Sequence, residues 1–118
     1  IIEPDKDIIK LKFGATGFML IKREVFKIFM EKYPQLKYSS VSLCQMHNIE
    51  DKHCYTFFDD YISTKNRNLL SEDYGFCERW EQIGGEVWGI LNSKLTHHGN
   101  YSFKGNLPLY IKANNDSI

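Results

Sequence analysis

Apolar residues at helical spacing predict two amphipathic helices in this chain. The first prediction covers residues 22–33 and ends before Pro34, because the residue preceding a proline avoids the α region. The second covers residues 71–83, and the Gly84 and Gly85 that follow favour its termination. Its apolar stripe consists of Phe76, Trp80 and Ile83.

Shorter apolar segments predict strands around these helices. Residues 8–13 alternate between apolar and polar side chains, which is typical of a half-buried strand. The apolar run at residues 18–21 predicts a second, more buried strand. Strands are also predicted over residues 38–43, 86–91 and 94–97, with a strand or a short helix over residues 54–62. Strands interleaved with helices indicate an α/β or α+β fold.

Length and charge narrow the class of protein. The 118 residues correspond to a single domain, and we expect residues 1–7 and 113–118 to be frayed termini. Because the first residue is Ile1 and not methionine, we interpret the chain as a fragment or a processed form. Fifteen basic and 15 acidic residues give a formal net charge of zero without a basic stripe, so we expect no nucleic-acid partner.

Two further features bear on location. No apolar run approaches the roughly 20 residues that span a bilayer, so we expect no transmembrane segment. The chain has three cysteines, which is too few and an odd number for a disulfide framework. This indicates a reducing compartment, and we expect a cytoplasmic protein.

Three stretches occur together in order. Residues 14–26 read GATGFMLIKREVF, residues 70–80 read LSEDYGFCERW, and GGEVW at 84–88 leads to LTHHG at 95–99. Together they resemble the carboxy-terminal, acceptor-side half of GT-A glycosyltransferases, over about residues 13–106. The resemblance implies a partial GT-A-like mixed sheet flanked by two or three helices.

The implied activity is metal-dependent transfer of a sugar from a nucleotide sugar, a UDP-sugar first of all, to an acceptor hydroxyl with inversion. Mn²⁺ or Mg²⁺ would be the cofactor and a glycan the acceptor. In this family an amino-terminal half ending in Asp-x-Asp holds the donor. This chain has no such motif, since Asp59 and Asp60 are adjacent. We therefore expect transfer to require a donor-binding half that this sequence does not contain.

The resemblance implies that Asp73 is the catalytic base and that Glu72 binds the acceptor. Ser71 is a suitable N-cap for the helix that they begin. A helix N-terminus lowers a carboxylate pKa, so a useful base would need compensating burial. The alternative interpretation is that Glu72 and Asp73 are ordinary acidic residues of a helical first turn. The other implied contacts are with the acceptor at Thr16, Gly17 and Trp80, with the donor at Gly14 and Tyr101, and with the metal at His97.

Several alternatives remain open beside this interpretation. Residues 14–17 are also consistent with a simple turn between two strands. Trp80 is also consistent with a position in the hydrophobic core, and His97 with a histidine on the surface. A non-catalytic module that binds a glycan or a protein is the second hypothesis, and an unpaired sheet edge would favour a homo-oligomer. A zinc site is a third possibility, although adjacent ligands suit tetrahedral geometry poorly. Its candidate ligands are Cys44, His47, His53 and Cys54.

Overall fold

The computed structural model describes residues 2–3, 7–39, 41–48, 50–106, 108–110 and 112, and it confirms an α+β fold. The α-helices are α1 (Arg23–Lys32), α2 (Val41–His47) and α3 (Glu72–Gln82). The strands are β1 (Ile2–Glu3), β2 (Ile8–Leu11), β3 (Tyr61–Ile62), β4 (Leu69–Leu70), β5 (Val87–Ile90), β6 (Thr96–His98) and β7 (Ser102–Lys104).

The described strands form three small sheets, ordered β1-β2-β5, β3-β4 and β6-β7. The pairs β1–β2, β3–β4 and β6–β7 are antiparallel. None of the helices in the described residues has the length and apolar character needed to cross a membrane.

The chain divides into two compact units. We call Lys12–Val87 the helical unit, and it contains the three helices and the β3–β4 pair. We call Ile1–Leu11 together with Trp88–Ile118 the terminal unit, and it contains the other two sheets apart from the first residue of β5.

Aromatic side chains form the core of the helical unit. Phe29 of α1 is fully buried, and its ring stacks on that of Phe76 of α3 with the centroids 4.7 Å apart. Phe58 stacks on the other side of this pair, 4.7 Å from Phe76, and Phe57 packs against Phe26 at 5.1 Å. The predicted helices are therefore confirmed, and their apolar stripes face each other across this core.

Helix α3 also buries charged side chains, which its sequence pattern does not indicate. Glu78 accepts a hydrogen bond of 3.0 Å from the Ser63 hydroxyl, and both residues are buried. The Arg79 guanidinium lies over the Tyr61 ring at 4.5 Å, and its buried Nη1 has no hydrogen-bond partner within the described part of the chain. The face of α3 toward the β3–β4 pair is thus polar as well as aromatic.

The predicted strand over residues 18–21 is wrong. Thr16–Phe18 is a 3-10 turn, and the residues after it join no sheet in the described structure. Phe18 is 77% exposed and Leu20 is 97% exposed. An apolar run alone does not define a strand, because a strand also needs a neighbouring backbone with which to pair.

The predicted strand over residues 38–43 is also wrong, since α2 begins at Val41. A short apolar segment is compatible with both the two-residue period of a strand and the 3.6-residue period of a helix, and this segment forms a helix. Residues 54–62, predicted as a strand or a short helix, are mostly irregular. They contribute a single bridge between Lys37 and Tyr55, and then β3.

The terminal unit contains two pairings that the sequence pattern did not reveal. Ile2–Glu3, within the predicted frayed terminus, pairs with β2, whereas residues 113–118 lie outside the described residues. The predicted strand over residues 94–97 is β6, shifted by one or two positions, and its partner β7 lies in a segment for which no strand was predicted. Predicted strand 86–91 is confirmed as β5.

Candidate functional site

The first turn of α3 holds the Asp73 carboxylate in a defined orientation. The Ser71 hydroxyl donates a hydrogen bond of 2.6 Å to Asp73 Oδ1, and the Tyr74 backbone amide donates one of 2.8 Å to the same oxygen. Ser71 occupies the N-cap position, but its side chain bonds this carboxylate and caps no backbone amide of the helix. The orientation of the Asp73 carboxylate is therefore fixed by two donors, one from the residue two positions before it and one from the residue after it.

The segment that contains Gly14 packs directly against this turn. The Gly14 backbone amide lies 3.4 Å from the Cys77 sulfur, and the Cys77 thiol donates to the Gly14 carbonyl at 3.6 Å. One turn away, the rings of Phe13 and Tyr74 stack with centroids 4.7 Å apart. These contacts bring the first two sequence stretches of the resemblance together.

Hydrogen bonds set the charge state of this site. They lower the pKa of Asp73, through the Ser71 hydroxyl first and the backbone amides of Tyr74 and Thr16 to a smaller extent, against the opposing effect of partial burial. Burial raises the pKa of the Cys77 thiol, which therefore stays neutral in its anchoring role. At neutral pH Asp73 therefore presents an ionised, oriented carboxylate.

The surface around this carboxylate combines open space with apolar side chains. Apart from the two neighbours of Gly17 in the chain, no heavy atom of the described residues lies within 4 Å of the place that a Cβ on Gly17 would occupy. Phe18, in the same 3-10 turn as Thr16, is largely exposed, and Tyr74 is 40% exposed. A carboxylate next to exposed apolar surface can bind a molecule that carries both hydroxyl groups and apolar C–H faces, as sugars do.

Two other predicted acceptor contacts lie on α3. Glu72 is exposed in the first turn, next to Asp73. Trp80 lies two turns further along, where its ring packs on Phe29 at 6.0 Å and its indole N–H donates to the Glu86 carbonyl at 3.1 Å. The structure thus groups Glu72, but not Trp80, with the predicted base.

The predicted metal and donor residues of the terminal unit lie on the β6–β7 hairpin. His97 is opposite Phe103 in the register, and the two rings meet edge to face at 6.3 Å. Tyr101 packs edge to face on the same Phe103 at 5.1 Å and is 70% exposed. His97 belongs to no group of three metal-ligating side chains in the described chain.

A cleft of about 550 Å³ lies beside this hairpin within the terminal unit. Its lining includes Lys94, Thr96 and Lys104. Thr96 pairs with Lys104, one position along from the pair of His97 and Phe103, and successive side chains point to opposite faces of a strand. The His97 side chain therefore points to the face opposite Thr96 and Lys104, and neither His97 nor Phe103 lines the cleft.

One residue that holds the site, Cys77, was not predicted from the sequence, and Ser71 was predicted in a different role. Cys77 lies four positions after Asp73, so both side chains share one face of α3, and this spacing was a usable signal. The bond from Ser71 to Asp73 replaced the expected backbone cap, since a hydroxyl two residues from a carboxylate satisfies either role.

The chain matches no protein-family model, and it has no match among curated proteins or among solved structures. The likeness to GT-A glycosyltransferases therefore rests on the order and spacing of the three sequence stretches.

Proposed function

We propose that this chain forms the acceptor side of a GT-A glycosyltransferase that transfers a sugar from a UDP-sugar to a hydroxyl acceptor with inversion. The observation that carries the proposal is the Asp73 carboxylate. It is held by Ser71 and by the Tyr74 amide beside the open surface at Gly17. The chain has free cysteines at its three cysteine positions, which fits a reducing, cytoplasmic location.

In the proposed reaction, Asp73 accepts the proton of the acceptor hydroxyl. The hydroxyl oxygen forms a bond to the anomeric carbon while the bond from that carbon to the phosphate oxygen breaks, and the nucleoside diphosphate departs. Hydrogen bonds lower the pKa of Asp73, which makes it a weak base toward a neutral alcohol. The proton therefore moves late, when the attacking oxygen has become strongly acidic through its new bond to carbon.

The other predicted contacts take supporting roles in this proposal. Glu72 and the exposed backbone at Thr16 and Gly17 would bind the acceptor, and Trp80 would support that surface from the core. The roles of Gly14 and Tyr101 toward the nucleotide sugar, and of His97 toward its divalent ion, rest on the resemblance alone.

Among the described residues His97 belongs to no group of three metal-ligating side chains, so those residues supply no complete manganese or magnesium site around it. A divalent ion would stabilise the departing diphosphate as a Lewis acid, and the proton transfer to Asp73 is independent of it.

The decisive experiment is Asp73→Asn in the natural protein that carries this sequence. We expect kcat to fall about a hundredfold to ten-thousandfold, the usual contribution of a general base. UDP release from a panel of UDP-sugars measures the rate, since water serves as an acceptor when the natural one is unknown. Calorimetric titration with UDP and Mn²⁺ should give the same affinity for both proteins, because Asp73 acts on the acceptor.

Two further variants sharpen the test. Asp60→Asn changes another exposed aspartate of the helical unit and should leave turnover unchanged. Glu72→Gln should weaken transfer to a glycan acceptor while leaving hydrolysis of the donor intact. Wild-type turnover in D73N would end the assignment of Asp73 as the base.

A glycan-binding module without catalysis is the second candidate function. It is favoured by the lowered pKa of Asp73, because an ionised carboxylate accepts hydrogen bonds from sugar hydroxyls without removing a proton. The two functions differ in one measurement. A binding module would hold glycans and lose that affinity in D73N, yet release no UDP from any donor.

A further inference from the structure

The helical unit contains a second cluster of reactive side chains, separate from the start of α3. The sulfur atoms of Cys44 and Cys54 lie 3.5 Å apart, and both residues are partly buried and free of disulfide bonds. An Asp51 carboxylate oxygen joins them, and the three ligand atoms all lie within 4.8 Å of one another. This is the one group of three metal-ligating side chains found within the described residues.

Local backbone geometry brings these side chains together across ten positions of sequence. Helix α2 carries Cys44 and ends at His47, and Asn48 follows in the left-handed conformation with φ of 50°, which reverses the chain. Asp51–His53 then forms a 3-10 turn, in which the Cys54 amide donates to the Asp51 carbonyl at 3.1 Å. Asp51 and Cys54 are thereby presented on the same turn.

The returning segment is also fixed at its far end. The Tyr38 amide donates to the Cys54 carbonyl at 3.0 Å, and the Thr56 amide donates to the Leu36 carbonyl at 2.9 Å. Backbone bonds therefore position Cys54 independently of its side chain. A ligand bound by both Cys44 and Cys54 would link the two ends of the segment between them. The Cys54 end of that segment is already held in place by these backbone hydrogen bonds.

The distances fit a tetrahedral metal ion. With zinc–sulfur bonds of about 2.3 Å, two thiolates on one tetrahedral ion lie about 3.8 Å apart. The observed separation of 3.5 Å between the Cys44 and Cys54 sulfurs needs only a small adjustment. Asp51 is exposed, so its carboxylate is free to move the short distance to a zinc–oxygen bond of about 2.0–2.2 Å.

We infer that Cys44, Asp51 and Cys54 form a binding site for a soft divalent metal ion of the zinc class. Two thiolates select such an ion over Mg²⁺ or Mn²⁺, which prefer oxygen ligands. The site is therefore distinct in chemistry from the manganese or magnesium of the proposed transferase. A water molecule completes the coordination, and the two thiol protons pass to solvent on binding. The ion ties α2 to the 3-10 turn and stabilises this part of the helical unit.

The site differs from the zinc possibility weighed from the sequence. There, His53 and Cys54 were the adjacent pair that argued against tetrahedral geometry. In the structure, Asp51 joins the two cysteines, and neither His47 nor His53 belongs to the group. Ligands at positions 51 and 54 are spaced by one 3-10 turn, which allows both to reach one ion.

The test is a titration of the reduced, metal-free full chain with Co²⁺, a spectroscopic substitute for zinc. We expect one equivalent to bind with thiolate-to-cobalt charge-transfer absorption in the near ultraviolet, and Zn²⁺ to displace it. Cys44→Ser and Cys54→Ser should each reduce this absorption and lose the stoichiometric binding. Asp51→Asn should weaken the zinc affinity by at least the amount typical of an outer-shell partner, about 10- to 100-fold.

Matched controls keep the outcome interpretable. Asp60→Asn should bind as wild type, and circular dichroism of each variant establishes that it is folded. Zn²⁺ should raise the thermal midpoint of the wild type but not that of C44S. The inference is overturned if the reduced protein shows no charge-transfer absorption. It is equally overturned if D51N binds like D60N while His47→Ala or His53→Ala abolishes binding, because the third ligand would then be a histidine.

Discussion

At the residue scale, the Asp73 carboxylate is shaped by its immediate neighbours along α3. Ser71 and the Tyr74 amide both donate to one of its oxygens, and these bonds lower the pKa of Asp73. The compensating burial that would make it a strong base is not present in the site. If Asp73 acts as the base, its contribution to the rate comes mainly from holding the carboxylate in the correct orientation toward the acceptor hydroxyl. Its proton affinity contributes less.

Ser71→Ala tests this account directly. The variant removes the hydrogen bond that lowers the Asp73 pKa most, so we expect the pKa to rise toward the ordinary aspartate value of about 3.9. Carbon-NMR titration of the Asp73 carboxyl group measures the change. Ser93→Ala is the control, because that hydroxyl bonds the Ile90 carbonyl in the terminal unit and should not affect Asp73.

The lowered pKa of Asp73 also predicts how the free energy of unfolding depends on pH. A lowered folded-state pKa stabilises the protein fully above the unfolded value, and this stabilisation is lost as the pH falls through the folded value. The free energy of unfolding of the wild type should therefore exceed that of D73N at neutral pH, and the difference should narrow below about pH 4. A difference that widens on acidification would show that the Asp73 pKa is raised.

At the scale of the element, α3 combines local signals with one close tertiary contact. The helix ends where Gly84 adopts φ of 88°, a conformation that glycine reaches without strain. Gly85 then lies flat against the Trp80 indole, and the Trp80 N–H bonds the Glu86 carbonyl. The turn after α3 is thus packed on the helix that it terminates.

Gly85→Ala should disturb this packing. A methyl group there would overlap the Trp80 indole ring, so the rigid indole must move away from Phe29 and lose its hydrogen bond. We expect a loss of about 1–3 kcal/mol in the free energy of unfolding, typical of overpacking. Gly105→Ala, whose new methyl group would meet no heavy atom of the described residues within 4 Å beyond its chain neighbours, should change it by less than about 0.5 kcal/mol. Denaturation followed by tryptophan fluorescence compares the two, and equal stability would contradict the contact.

At the scale of the whole molecule, the described structure has one dominant aromatic core, in the helical unit. Phe29, Phe76 and the segment at Phe57 and Phe58 come from three separate parts of the chain. The terminal unit instead exposes much of its aromatic surface, with Tyr101 at 70% and Phe103 at 61%. Most of the tertiary stabilisation should therefore come from the helical unit.

Phe29→Ala and Phe18→Ala provide a matched pair for this expectation. Both remove the same atoms, but Phe29 is fully buried whereas Phe18 is 77% exposed. We expect F29A to reduce the free energy of unfolding by about 3–5 kcal/mol, and F18A by less than about 0.5 kcal/mol. Urea denaturation measures both. A large loss in F18A would show that this apolar surface is buried in the protein in solution.

Part of the candidate site was accessible from the sequence and part was not. The motif that contains Glu72 and Asp73 marked the start of α3 correctly, because the preference for acidic residues in a first turn acts within one helical turn. The sequence pattern did not indicate that Glu78 and Arg79 are buried. Charged side chains are normally on the surface, and only the partners Ser63 and Tyr61, supplied from elsewhere, make burial tolerable.

The sequence by itself determined the elements whose signals are local. Helices α1 and α3 follow from the 3.6-residue period, and Pro34 and the pair at residues 84–85 end them through backbone restrictions of their own. Tertiary structure alone decided which residues meet. The Gly14 backbone reaches the Cys77 thiol across 63 positions, and Cys44 reaches Cys54 through a chain reversal. Such contacts depend on the packing free energy of the whole unit, which no local window of sequence contains.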